Sequence, residues 1–98
     1  MKYSLLILPK AVNDIEEAYL WYEDKRTGLG YDFILNLEAG FEQIKRDPYV
    51  YKKEYKETRK LLMKRFPFKI IYLIENSKIV IIAVLHGRRN PDIIEGRV

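Results

Sequence analysis

The sequence predicts a single α+β domain spanning residues 1–98, in which an N-terminal strand precedes a helix hairpin packed on a small antiparallel β-sheet. Three observations predict this class. A chain of 98 residues is long enough for one compact domain. Apolar residues recur at helical spacing through most of residues 9–46. From residue 59 onward they alternate or run continuously, as they do in strands.

The first strand and the first helix meet at Pro9. Residues 2–8 are mostly apolar and too few for a helix of their own, whereas proline is favoured in the first turn of a helix. Most carboxylates of this helix lie opposite its apolar stripe, so we expect them to be solvated. Lys25, Arg26 and Gly28 predict a cationic last turn followed by a left-handed glycine. The stripe consists of Ala11, Ile15, Ala18, Tyr19 and Tyr22.

A second apolar stripe predicts a second helix, which ends before Asp47 and Pro48. A short link containing glycine joins the two helices, so we expect an antiparallel hairpin. Gly40 lies within the second stripe, where we expect it to allow close packing against the first helix. This stripe consists of Phe33, Ile34, Leu37, Phe41 and Ile44.

Three strands are predicted after a Tyr- and Lys-rich connection. Residues 59–64 alternate, residues 68–74 are β-branched and aromatic, and residues 79–85 are almost continuously apolar. Residues 75–78 (ENSK) predict a hairpin turn. Pro67 predicts a strand entry or a bulge, because proline cannot donate to a sheet. The core expected between helices and sheet contains Phe41, Ile70, Tyr72, Ile81 and Ala83.

Charge is divided unevenly along the chain. Residues 1–57 hold nine Lys/Arg and eleven Asp/Glu, a net charge of −2. Residues 58–98 hold nine Lys/Arg and three Asp/Glu, a net charge of +6. Such a basic surface suits nucleic acid or an acidic protein segment, or else only maintains solubility. The absence of cysteine excludes disulfides and thiolate chemistry, and the single histidine excludes paired-histidine metal motifs. We therefore expect no metal, no cofactor and a cytoplasmic location. We also expect no membrane segment, because the longest apolar runs are well short of the ~18–20 residues needed to span a bilayer.

The candidate functional residues lie where the last strand ends, in residues 84–91 (VLHGRRNP). His86 has the chemistry of a general acid or base near neutral pH, and Arg88 and Arg89 can bind phosphate or carboxylate bidentately. The alternative is that His86 is a hydrogen-bonded structural residue and that the arginines anchor a C-terminal tail. For His86 the structural role is the favoured one.

Residues 59–62 (RKLL), 66–72 (FPFKIIY) and 83–91 (AVLHGRRNP), with the helix start at Pro9, resemble the RelE/ParE superfamily of bacterial toxins. The resemblance covers nearly the whole chain in the order typical of the superfamily. It implies the toxin of a type II toxin–antitoxin pair, neutralised by a cognate antitoxin. Two activities occur in the superfamily: RelE-like members cleave messenger RNA on the ribosome, and ParE-like members inhibit DNA gyrase.

The resemblance also bears on which activity to expect. RelE-like enzymes use a cluster of lysines and arginines on the sheet. Lys60 and Lys69 fall on positions of that cluster and Arg88 falls near another, but Leu62 stands where a key lysine would be, and an aliphatic side chain cannot transfer a proton. The ending at residues 86–91 is more similar to ParE-like chains. A gyrase inhibitor is therefore the leading hypothesis.

Under that hypothesis no residue is catalytic, and the target or the antitoxin is bound by Arg59, Lys69, His86, Arg88 and Arg89. If the chain is instead a ribosome-dependent messenger RNA endonuclease, the candidate catalytic residues are Lys60, Lys64, Lys69, His86 and Arg88. A third possibility is a non-toxic adaptor whose basic sheet binds an acidic partner. The sequence leaves open whether the chain forms a homodimer or a toxin–antitoxin hetero-oligomer.

Overall fold

The computed structural model describes residues 2–89 and 92–98. The α+β class is confirmed: a helix hairpin packs on a four-stranded sheet with the strand order β1-β4-β3-β2. β1 runs parallel to β4, so the sheet is mixed and not wholly antiparallel. The chain between these two strands contains both long helices, β2 and β3, which is long enough for the crossover that a parallel pair needs. The elements are β1 (Ser4–Ile7), α1 (Pro9–Lys25), α2 (Leu29–Arg46), β2 (Arg59–Leu62), β3 (Phe68–Glu75), β4 (Lys78–His86) and α3 (Asp92–Glu95).

The two long helices are in close contact at Gly30. A Cβ atom at Gly30 would lie 2.7 Å from the backbone oxygen of Tyr19 on α1, so only glycine fits there. Gly40 faces the sheet instead, where a Cβ would lie 2.8 Å from Cδ1 of Ile70. The expectation that Gly40 packs against the first helix is therefore wrong. Gly28, between the helices, has the predicted left-handed conformation with φ +90°.

A bulge in β4 determines which side chains face the helices. Tyr72 pairs with Ile81 and Ile71 pairs with Ala83, so Ile82 is an extra residue in β4. The extra residue reverses the alternation of the strand, and Ala83 turns away from the helices, contrary to the sequence prediction. Val84 takes the inward position. The other expected core residues, Phe41, Ile70, Tyr72 and Ile81, are buried between helices and sheet as predicted.

The face of the sheet that points away from α1 and α2 is called the outer face here, and it is covered as well. Ile94 of α3 is fully buried against it, in a cluster with Ile71, Ile82 and Leu85. Tyr55, from the connection between α2 and β2, packs against the same cluster. The sequence did not predict α3. Much of the outer face is therefore interior surface.

Candidate functional site

The structure divides the predicted cationic residues into two groups. Lys60 and Lys69 alternate with inward-facing residues of β2 and β3, so they lie on the outer face. His86 is the last residue of β4 and lies opposite Phe68, the first residue of β3. The β2–β3 connection and the segment after β4 therefore leave the sheet at the same end. This surface, called the basic end below, consists of Lys64, Arg65, His86, Arg88 and Arg89.

On the outer face, Lys60 and Lys69 share one carboxylate. The Nζ atom of Lys69 lies 2.9 Å from Oε2 of Glu54, and Nζ of Lys60 lies 3.2 Å from Oε1. Lys69 is only 7% exposed. Burial alone would raise the pKa of Glu54, but hydrogen bonds and charge from both lysines outweigh it and hold that pKa below its ordinary value. Neither ammonium is therefore free to act on a substrate.

Arg59 holds the connection that carries Glu54. Its Nη1 atom donates hydrogen bonds to the backbone oxygens of Tyr49, at 3.1 Å, and Tyr51, at 2.8 Å. The guanidinium also lies over the ring of Tyr49. The buried hydroxyl of Tyr72 donates to the Pro48 carbonyl at 2.6 Å, and burial raises its pKa above the ordinary value. Arg59 thus has a structural role beside any contact with a partner.

The basic end is more open. Lys64, Arg65, Arg88 and Arg89 are exposed, and within residues 2–89 and 92–98 none of them forms a salt bridge. His86 is half-buried: its Nδ1 accepts a hydrogen bond from the Arg88 amide at 3.2 Å, and its ring packs edge-on against Phe68. Asn90 and Pro91, the last two residues of the motif, lie outside the described residues.

Beside the basic end lies a groove of about 510 Å³ between α1 and the end of β4. Its wall is mainly apolar and includes Trp21. Trp21 is 58% exposed, although tryptophan has the largest side chain of all residue types. Its polar lining consists of Asp14, Glu17, His86 and Arg89. The groove suits an apolar side chain of a partner, with an acidic group beside Arg89. Its apolar residues are Ala18, Trp21, Tyr22, Pro67, Phe68, Val84 and Leu85.

Two carboxylates of α1 are not solvated, contrary to expectation. Asp14 is largely buried and paired with Arg97. Glu23 accepts hydrogen bonds from the amides of Gly28 and Gly30 and so caps the start of α2. One signal for Asp14 was present in the sequence, because it follows Ala11 by three residues and so borders the apolar stripe. No sequence signal indicated that Glu54 would meet two lysines.

The described residues contain no group of three or more His, Cys, Asp or Glu side chains placed to hold a metal ion. In the same part of the chain, no helix has the length and apolar character needed to cross a membrane.

The match of the chain to a toxin family assigns it to the RelE/ParE class of small toxins. Residues 5–91 match the family described as the ParE toxin of the type II toxin–antitoxin system parDE, and the chain belongs to that family. Among curated relatives, Toxin ParE2 of Mycobacterium tuberculosis is 27% identical over 88 residues, which is 88% of this chain and 83% of the relative.

Solved structures share the fold at lower identity. The chromosomal ParDE system of P. aeruginosa aligns with a TM-score of 0.77 and 17% identity, over 87% of this chain and 96% of that one. The RelBE2 toxin–antitoxin complex of Mycobacterium tuberculosis aligns with a TM-score of 0.60 and 18% identity, over 88% of this chain and 99% of that one. A mutant of the E. coli toxin RelE in the free state aligns with a TM-score of 0.64 and 10% identity, over 99% of this chain and 94% of that one.

Proposed function

We propose that this chain is a bacterial toxin that inhibits DNA gyrase in the cytoplasm and is neutralised by a cognate antitoxin. Membership of the ParE toxin family supports a toxin of a toxin–antitoxin system. The choice of gyrase over messenger RNA rests on one observation: the lysines of the outer face are bound to Glu54 under a covering connection.

RNA cleavage by a ribose 2′-hydroxyl requires a group that removes its proton, cations at the phosphate and an acid for the leaving oxygen. Those groups must reach the substrate. Lys69 is buried and neutralised, Lys60 shares the same carboxylate, and Leu62 is an exposed aliphatic residue. An outer face of this kind supports a toxin that binds its target without cutting RNA.

The target surface in this proposal is the basic end together with the groove beside it. Arg88 and Arg89 are exposed there and supply charge, while Trp21 supplies a large apolar contact. Exposed aromatic and arginine side chains are the types that contribute most to protein interfaces. His86 contributes mainly by holding Arg88 through its backbone amide.

The antitoxin is proposed to bind on the same surface. Two similar structures are described as a ParDE system and a RelBE2 toxin–antitoxin complex, which supports a partner of this kind. The +6 half of the chain and the apolar groove suit a segment rich in Asp, Glu, Leu and Phe. The co-purified antitoxin should raise the melting temperature of the chain, and the rise should grow as the antitoxin concentration exceeds the dissociation constant. An unchanged melting temperature at saturating antitoxin would contradict this.

The decisive experiment compares two activities of the purified full-length chain. We expect inhibition of DNA supercoiling by gyrase, together with intact messenger RNA in a translation reaction with ribosomes. Heat-denatured chain serves as the control in both assays. Cleavage of message in the ribosomal A site without effect on gyrase would overturn the proposal.

A RelE-like endonuclease is the second candidate, since His86 and Arg88 are in contact at the open basic end and the β2–β3 connection that carries Lys64 leaves the sheet at the same end. A third outcome, no growth arrest on expression of the chain alone, would favour a non-toxic adaptor.

A further inference from the structure

The outer face contains a convergence of charge that, in the proposed function, counts against RNA cleavage but contacts neither the target nor the antitoxin. Two ammonium groups, from neighbouring strands, each contact a different oxygen of the Glu54 carboxylate. Glu54 does not belong to the sheet but to the connection between α2 and β2. The sheet therefore supplies a pair of cations, and a separate segment supplies the anion between them.

This arrangement has the form of a ligand-binding site whose ligand is part of the chain. The side chain of Lys69 is 9% exposed and that of Glu54 is 16% exposed, so water can replace the carboxylate only partly. A buried ammonium without a counter-charge is costly. Without Glu54, the two ammoniums would direct N–H donors at the position that its carboxylate occupies, and donors that converge on one carboxylate also suit phosphate.

We propose that Lys60 and Lys69 form an oxyanion site that Glu54 occupies as a built-in ligand, and that Glu54 is the residue that excludes phosphate groups from the outer face. The excluded groups include the phosphates of nucleic acid. The inference stands independently of which macromolecule the basic end binds.

Chemical rescue tests the proposal. The Glu54→Ala variant is measured in sodium phosphate and in sodium chloride of equal ionic strength, with melting temperature as the readout. We expect phosphate to raise the melting temperature of Glu54→Ala by about 4 °C or more relative to chloride, the shift that modest specific binding produces in a domain of this size. The wild-type chain should gain less than about 1 °C on the same scale.

The chain offers a matched control in Glu57. It lies three residues from Glu54 and also pairs with a lysine, Lys53, at 3.1 Å, but both members of this pair are exposed. Glu57→Ala should respond to phosphate as the wild type does. A second variant, Glu54→Ala with Lys69→Met, should lose the response because one of the two ammoniums is gone.

Every outcome decides the question. If Glu54→Ala is unfolded in chloride, its refolding in phosphate, measured by circular dichroism, supports the proposal. An equal response of the wild type and Glu54→Ala overturns it, because phosphate would then bind elsewhere, as at the basic end. No response of Glu54→Ala, or a response that persists without Lys69, also overturns it. None of these results depends on gyrase, so failure of this inference and failure of the proposed function are distinguishable.

Discussion

The guanidinium of Arg97 donates two hydrogen bonds to the carboxylate of Asp14, at 2.6 Å and 3.0 Å, across 83 residues of sequence. Asp14 also accepts a hydrogen bond from the Val84 amide at 3.0 Å, and Arg97 donates to the Ile82 carbonyl at 3.2 Å. These backbone groups lie where β4 extends past the end of β1. The ion pair therefore supplies hydrogen-bond partners to an otherwise open strand edge and fixes the C-terminal segment on it.

Replacement of Arg97 should be among the most damaging changes in the C-terminal segment. Arg97→Ala leaves the largely buried Asp14 without its charge partner, so we expect a loss of about 3 kcal/mol in the free energy of unfolding, measured by urea denaturation. Arg89→Ala, at an exposed site, should cost under about 0.5 kcal/mol. Equal losses for both variants would mean that the ion pair does not hold the segment.

Two glycines of α2 should respond differently to alanine. At Gly30 the new Cβ would meet the backbone oxygen of Tyr19, which cannot move without the helix, so we expect Gly30→Ala to cost about 2 kcal/mol. At Gly40 it would meet Cδ1 of Ile70 and Cδ2 of Leu61, which are the ends of flexible side chains. The gain in helix propensity, about 1 kcal/mol, should offset most of that strain. Thermal unfolding of the two variants would decide, and a Gly40→Ala loss as large as that of Gly30→Ala would contradict the comparison.

The periodicity of the sequence is sufficient to predict the four strands and the two long helices, though not α3, because it reflects local burial. Pro9, Gly28 and Pro67 marked helix and strand boundaries that the structure confirms. Alternation could not reveal the bulge at Ile82, since one extra residue leaves the strand equally apolar. The alternation therefore predicts the wrong face for Ala83.

The site was less predictable because its key interactions are long-range. The sequence predicts that Lys60 and Lys69 are functional cations. The structure shows that both contact Glu54, which neutralises them. Glu54 lies on a connection without regular structure, so no local pattern indicates this contact. Arg97 and Asp14 pair for a similar reason: the fold, and no local pattern, brings them together. The cations at the end of β4 were easier to find, because a strand that ends in residues 86–89 places them at the solvent boundary.

The core provides a direct test of the helix–sheet packing. Phe41 on α2 is 7% exposed within the core, so Phe41→Ala should cost about 3–5 kcal/mol. Leu35, on the same helix, is 46% exposed, and Leu35→Ala should cost less than about 1 kcal/mol. Urea denaturation of both variants measures the difference. A Phe41→Ala loss below 1 kcal/mol would mean that this face of α2 is not in the core.

The pairing of Glu54 predicts a pH dependence of stability. Its pKa in the folded chain lies below the ordinary value of 4.5, so its contribution is complete above about pH 4.5 and disappears as the pH falls through the lower, folded value. Wild type should therefore exceed Glu54→Gln in unfolding free energy by a constant amount, roughly 1–3 kcal/mol, between pH 6 and 8. Below pH 4.5 the gap should close. Urea denaturation across this range measures it, and a gap that widens on acidification would be incompatible with the ion pair.

Substitutions at the basic end should separate binding from catalysis. If the chain inhibits gyrase by contact alone, His86→Ala removes only a side chain that positions the Arg88 amide, and most of the inhibition of supercoiling should persist. Arg88→Ala and Arg89→Ala should each weaken inhibition by about 1–2 kcal/mol, or roughly 5–30-fold in the concentration for half-inhibition, as expected for interface contacts. Lys52→Ala, at an exposed position of the connection, is the matched loss of charge and should change little.

In a nuclease, by contrast, loss of His86 or Arg88 should lower the cleavage rate by about 100-fold or more, because each would move a proton or stabilise charge on the phosphate. Ribosome-dependent cleavage of message that Lys69→Ala or His86→Ala abolishes would assign the chain to the RNA-cutting toxins, and it would require Glu54 to release Lys69 when the substrate binds.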